Sequence, residues 1–247
     1  MASDPGQATL RHAGPAADPP AALGQLAGPV GAHVRRVLES RIITNVLPPG
    51  ERLSENDLAL MLGVSRQPVR EALIRLAEIG LVRVLAQRGT VVTRISVAQV
   101  RSARFLRAAV ERAVIRQAAV EADAAAIAGM RALIEAQQAA EQEGDHAAFL
   151  QLDDRLHGSF AEAIGHDDVW RMLQGVKLHM DRVRYLSLPD ATPVSRLLAQ
   201  HAAIVDAVAA RDPDAAEAAM ERHLAELLES LPRLMQRLPN YFEADPG

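Results

Sequence analysis

Four side chains in the second half of this 247-residue chain are of types that ligate metal ions, and two of them have the spacing to do so together. In the stretch DDRLHGSF, Asp153 and His157 stand at i and i+4, on one face of any helix that contains them, so both can reach a common point. His201 in AQHAAIVDAV and His223 in MERHLAEL fall one each on the last two stretches of helical periodicity. Neutral imidazoles and a carboxylate are ligands for a zinc-class divalent ion, and such a set leaves coordination positions open for water or an anion. The plain alternative is a group of capping or core histidines, which single helical histidines usually are, beside an Asp-x-x-x-His pair formed by chance. His12, His33, His146, His166 and His179 read as structural or solvated.

A second constellation lies earlier, in VSRQPVREAL, residues 64–73. Ser65 is a candidate helix cap, and Pro68 falls in the first turn, where backbone N–H groups lack intrahelical partners and the ring costs little. From that start Val69, Ala72, Leu73 and Leu76 share one face, while Arg66, Gln67 and Arg70 share another. Two guanidinium forks at a helix N-terminus suit the major groove, where arginine reads guanine O6 and N7, and they also suit phosphates. A solvated arginine face is the competing reading.

The elements that must position these groups are legible around them. Ala32 opens a stretch of helical periodicity reaching Val46, and Pro48-Pro49-Gly50 turns the chain. In SEND, Ser54 caps a helix and Asp57 completes a capping-box pattern before Leu58, Met61 and Leu62. Gly63 stops that helix two residues short of Ser65, which is the spacing of a helix-turn-helix. After Gly80, LVRVL and TVVTRI are two β-branched runs joined by Ala86-Gln87-Arg88-Gly89, a hairpin with a basic tip. Three helices and such a hairpin make a winged helix-turn-helix. From about Ser96 the chain carries Ala-rich helical segments over 97–120, 124–142, 146–164, 169–186, 194–211 and 215–237, an all-α bundle of about six helices. The fold class is therefore mainly α.

Charge follows the same division. The net charge is −4, but residues 33–94 hold ten arginines against six acidic residues and are basic by +4. Only one part of the chain is suited to a polyanion. Cysteine is absent, so disulfides and thiolate metal sites are excluded, as an intracellular, cytoplasmic protein would have it. No apolar run approaches the length of a membrane span. Residues 1–31 read as a disordered Ala/Pro/Gly tail, 32–95 as the winged helix, 96–238 as the helical domain and 239–247 as a second tail.

The stretch from Pro49 to Val92 resembles the DNA-binding domain of GntR-type bacterial transcription regulators. It shows a turn ending in Pro-Gly, then Leu-Ser-Glu, the Ser-Arg-x-Pro-Val-Arg-Glu-Ala-Leu core, a Gly-Leu pair and an Arg-Gly wing tip. The resemblance implies DNA contacts by Ser65, Arg66, Gln67, Arg70, Arg88 and Gly89. Gln67 stands where Thr is commoner, and Asn56 where some relatives carry Arg. The helical part is similar to the FCD effector domain of the FadR subgroup, with Arg107 and Glu111 in RAAVE, Asp153 and His157, His201 and His223 in order. In metal-binding members the last four positions are the ligands; acyl-CoA-binding members lack them. Gly165-His166-Asp167 replaces the usual Gly-Asn.

The resemblance implies a ligand-responsive regulator of transcription, a repressor rather than an enzyme. Its partners would be a pseudo-palindromic double-stranded DNA operator, a second copy of the chain, and a small carboxylate. The cofactor would be a divalent ion, zinc in the first place, with nickel or manganese as alternatives. Arg107 and, more weakly, Arg184 are the candidates for pairing with the carboxylate, against an i,i+4 salt bridge of Arg107 with Glu111. Two other readings stay open: a metal-dependent enzyme fused to a DNA-binding module, and an architectural DNA binder whose helical part only dimerises.

Overall fold

The computed structural model describes residues 30–85, 89–188 and 191–244, so the segment expected to be a disordered tail lies, up to residue 29, outside the described residues. The first helix, α1 (Val30–Ile43), buries Val34, Leu38 and Ile42 at spacings of four. It ends earlier than its periodicity suggests. Asn45 adopts a left-handed φ of +59°, and the Leu47 N–H returns to the Arg41 carbonyl at 2.9 Å, which carries Leu47 into the core and leaves Val46 exposed. A two-residue strand, β1 (Arg52–Leu53), follows; no sequence pattern marks so short an element.

The helix-turn-helix forms as the capping residues require. Ser54 Oγ accepts the Asp57 N–H at 3.3 Å at the start of α2 (Glu55–Leu62), and Gly63 at φ +64° ends that helix in the left-handed conformation glycine favours. Ser65 occupies the cap position of α3 (Arg66–Glu78), but its side chain makes no capping bond. Val69, Ala72, Leu73 and Leu76 of α3 are all buried against α1 and α2. The wing consists of β2 (Val82–Leu85) and β3 (Gly89–Val92), antiparallel with Val82 opposite Val92, and β1 pairs on the other edge of β3.

The helical part runs α4 (Val97–Glu121), α5 (Ala124–Gln142), α6 (His146–Glu162), α7 (Asp167–Gln174), α8 (Leu178–Ser187), α9 (Val194–Ala209) and α10 (Pro213–Arg237). α10 lies along α4 and α9, and α5 packs on α6 and α9, around Ile115, Met130, Leu156, Phe160, Ile204 and Met220. The single helix expected over 169–186 is two. Gly175 closes α7, and Lys177 turns inward, its Nζ 2.8 Å from both Asp154 and Asp181. Burying that ammonium is tolerable only with such partners. Residues 239–244, the described part of the segment expected as a tail, fold back instead. A short 3₁₀ turn (Pro239–Tyr241) brings buried Phe242 beside Ile95, with Ile95 N–H donating to the Tyr241 carbonyl at 2.8 Å. Among the described residues no helix is long and apolar enough to cross a membrane.

The winged helix and the bundle meet through α8. Leu178 is part of the winged-helix core, Arg182 Nη2 donates to the Thr93 carbonyl at 2.8 Å, and His179 Nδ1 accepts the Ser96 N–H at 3.4 Å. Burial, followed by the charge of Arg182, pushes His179 down from 6.5 to about 4 against the opposing pull of Glu243. The folded state therefore holds this imidazole neutral where the unfolded chain takes up a proton. Its contribution to stability is complete above 6.5 and is lost as pH falls towards 4. His179→Gln should flatten the decline in that window by at most roughly 3 kcal/mol, measured by urea unfolding at several pH values. Equal declines in both proteins would assign the acid sensitivity elsewhere.

Candidate functional site

Asp153 and His157 project from α6, His201 from α9 and His223 from α10, and one donor atom of each lies within 4.8 Å of all the others. All four are buried. His157 Nε2 and His223 Nε2 are 3.1 Å apart, and His201 Nε2 stands 3.3 Å from Asp153 Oδ1. The second nitrogen of each ring explains this convergence. His157 Nδ1 lies 2.5 Å from Glu111 Oε2, His201 Nδ1 2.7 Å from Gln137 Oε1, and His223 Nδ1 3.1 Å from Gln200 Oε1. Each partner atom is an acceptor, so each Nδ1 is placed to donate to it and each Nε2 is turned inward, where it can offer a lone pair to a cation.

His201 Nε2 has no hydrogen-bond partner among the described residues. Burial, then the neighbouring rings His201 and His157, hold His223 well below the ordinary histidine range; burial likewise lowers His201. Burial opposes ionisation of Asp153, but the Arg184 guanidinium overcomes it and keeps the carboxyl well below the carboxylate range. Neutral imidazoles and an ionised carboxylate are the protonation states a divalent cation needs, and Glu111, Gln137 and Gln200 supply the outer hydrogen bonds that orient such ligands. The residues fit a metal ion.

Beside the cluster is a cavity of about 40 Å³ lined by Arg104, Arg107, Asp153, Arg184, His223 and a group of leucines. Arg107 is paired with Glu111, the salt bridge its spacing allowed, yet it also lines the cavity and its buried Nη2 has no partner among the described residues. Arg184 is more committed. It pairs with Asp153, with Asp154 at 2.9 Å and with Asp181 at 3.2 Å, and through them joins the cluster to Lys177 and α8.

The other expected site lies on the winged helix. Ser65, Arg66, Gln67 and Arg70 form an exposed patch on the first turns of α3. Arg66 reaches Glu55 of α2 at 3.4 Å, Gln67 donates to Glu71 at 2.8 Å, and no ion pair holds Arg70 among the described residues. Gly89 begins β3 at φ +83°, as a tight wing requires; Arg88 lies outside the described residues. Sequence reasoning missed Gln137, Gln200, Lys177 and Trp170. Only two of these carried a signal: Gln200 adjoins His201, and Trp170 is the sole tryptophan.

Comparison with known proteins follows the same division. The family described as bacterial regulatory proteins, gntR family, matches residues 31–92, and the FCD domain matches residues 103–226. The chain is 37% identical to the HTH-type transcriptional repressor RspR of Escherichia coli (strain K12), over 88% of this chain and 95% of that protein. It is also 37% identical to an HTH-type transcriptional regulator in an unstable DNA locus of Streptomyces ambofaciens, over 84% and 87% of the two chains. Among solved structures, E. coli McbR/YncC has a TM-score of 0.71 at 19% identity, covering 85% of this chain and 99% of that one. A GntR transcriptional regulator from Rhodococcus sp. RHA1 has a TM-score of 0.68 at 24% identity, covering 82% and 97%. The two structures share the fold.

Proposed function

Because the chain belongs to the gntR family of bacterial regulatory proteins and carries an FCD domain, we propose that it represses transcription in response to a small carboxylate held at a metal ion by Asp153, His157, His201 and His223. The observation that carries this is the convergence of three Nε2 atoms and a carboxylate whose outer hydrogen bonds are already made. Zinc suits the donor set best; nickel and manganese accept the same ligands. A bound ion would supply Lewis acidity towards a carboxylate, and Arg107, with Arg184 in a weaker role, would pair with a second anionic group. The curated relatives are regulators, which sets the enzymatic alternative aside.

Ser65, Arg66, Gln67, Arg70, Arg88 and Gly89 make up the DNA-reading face, and the domains divide near residue 95. Two winged helices of a homodimer meet successive half-sites of a pseudo-palindrome, since protein two-fold symmetry is mirrored in the operator. An apolar strip on α4, Phe105 and Leu106 with Ala109 and Ala113, stays exposed in the single chain and suits a second copy. The path from cavity to DNA is short. Arg184 ties Asp153 to α8, and the far side of α8 is built into the winged-helix core and the segment 93–96. A carboxylate that prefers one placement of α8 over the other shifts operator affinity tenfold for about 1.4 kcal/mol of difference.

The test is elemental analysis of untagged protein followed by operator titration with and without small organic acids chosen by thermal shift. The expected result is one divalent ion per chain and at least a tenfold change in operator affinity with a stabilising acid. A folded protein that neither holds nor takes up metal would defeat the proposal, leaving the helical part as a dimerisation module.

A further inference from the structure

Trp170, on α7, sits outside the ligand set but against it. Its ring lies nearly parallel to the His157 imidazole, at 14° and 6.0 Å between centroids. The Arg107 guanidinium carbon is 5.8 Å from the same indole and Lys177 Nζ is 6.0 Å away. The seat is made by a missing side chain. A Cβ on Gly158, the residue after His157 inside α6, would fall 2.9 Å from Trp170 Cδ1 and 3.0 Å from its Nε1. Glycine weakens a helix interior relative to alanine, so Gly158 makes α6 weaker than it need be and gives the indole room. α7 itself rests chiefly on α6, between Gly165 at φ +73° and Gly175.

We propose that Trp170, seated by Gly158, is a positioning residue for the metal ligand His157, bracing its ring and the Arg107–Glu111 pair behind it. His157 is held in its plane by the bond from Nδ1 to Glu111 and across its face by the indole. Glu111 is in turn held by Arg107, whose guanidinium lies over that indole. One side chain thereby limits both the rotation of the ligand and the drift of its outer partner. The inference rests on the metal reading of the cluster.

Cobalt(II) is the probe, read by its absorption spectrum and by chelator competition on the full-length protein. Trp170→Ala should bind it roughly 10–100-fold more weakly, the range typical of lost outer-shell support, with a shifted spectrum. Trp170→Phe, which returns a ring to the seat, should recover most of the affinity and the wild-type bands. Gly158→Ala keeps the tryptophan but displaces it, so affinity should fall as well and the emission of the metal-free protein should move to the red. That sign is informative, because alanine in a helix interior ordinarily stabilises. Should wild type bind cobalt while all three variants match it in affinity and spectrum, Trp170 is only packing and the inference is wrong. Should wild type itself take up no cobalt, the metal reading fails and this inference fails with it.

Discussion

Alanine at His201 or His223 is expected to abolish both the bound ion and any effect of a carboxylate on operator binding, while the ligand-free protein keeps its operator affinity within about threefold. Each imidazole supplies one of four donors, from three helices that also share an apolar core. Outer-shell partners alone are worth roughly 10–100-fold in metal affinity, so removing a donor should exceed about 100-fold. The winged-helix core, built on Val34, Leu38, Leu73, Leu76 and Leu178, shares no residue with the cluster. DNA binding by the metal-free variants should therefore persist. Metal analysis and operator titrations on the same preparations decide the matter. If the variants lose the ion yet still release or tighten on DNA when the acid is added, the metal is structural and the signal enters elsewhere. Variants that retain the ion would mean that the donor set is misassigned.

How much of this was readable beforehand depended on the range of the interaction concerned. The apolar face of α3, the Ser54 cap and the Gly63 stop are local, and each stood in the sequence at its observed position. The Asp153 and His157 pair was half a site by spacing alone. His201 and His223 joined it through resemblance, because nothing local says that α9 and α10 cross at α6. The interruption of the helix expected over 169–186 shows the limit. At the break stands Lys177, a buried ammonium paired with Asp154 on another helix, and no pattern within the segment reports that partner. Gln137 was invisible for a related reason, and Gln200 offered only its place beside His201. A glutamine looks solvated until the imidazole it faces is known. Gly158 directly follows a ligand in the sequence, yet its meaning appears only when Trp170 arrives over it from α7.

Arg70→Ala and Arg66→Ala should each weaken specific operator binding by about 1–3 kcal/mol where the arginine reads a base, roughly a 5- to 150-fold loss. A residue that holds a phosphate should instead weaken all sequences alike and lower the salt slope by about one contact. The two positions should not be equal. Arg66 already reaches Glu55 at 3.4 Å and gives up that weak, exposed pair on binding, whereas no ion pair holds Arg70 among the described residues. An exposed pair contributes at most about 1 kcal/mol, so the handicap is small, but it places the larger loss at Arg70. Neither substitution touches the buried face of α3, and both should leave the melting temperature unchanged. Fluorescence-anisotropy titrations with operator and scrambled duplexes at several salt concentrations separate base reading from phosphate contact. If both folded variants bind operator and scrambled DNA as wild type does, with the same salt slope, the exposed turns of α3 do not enter the groove and the DNA-reading face must be sought elsewhere.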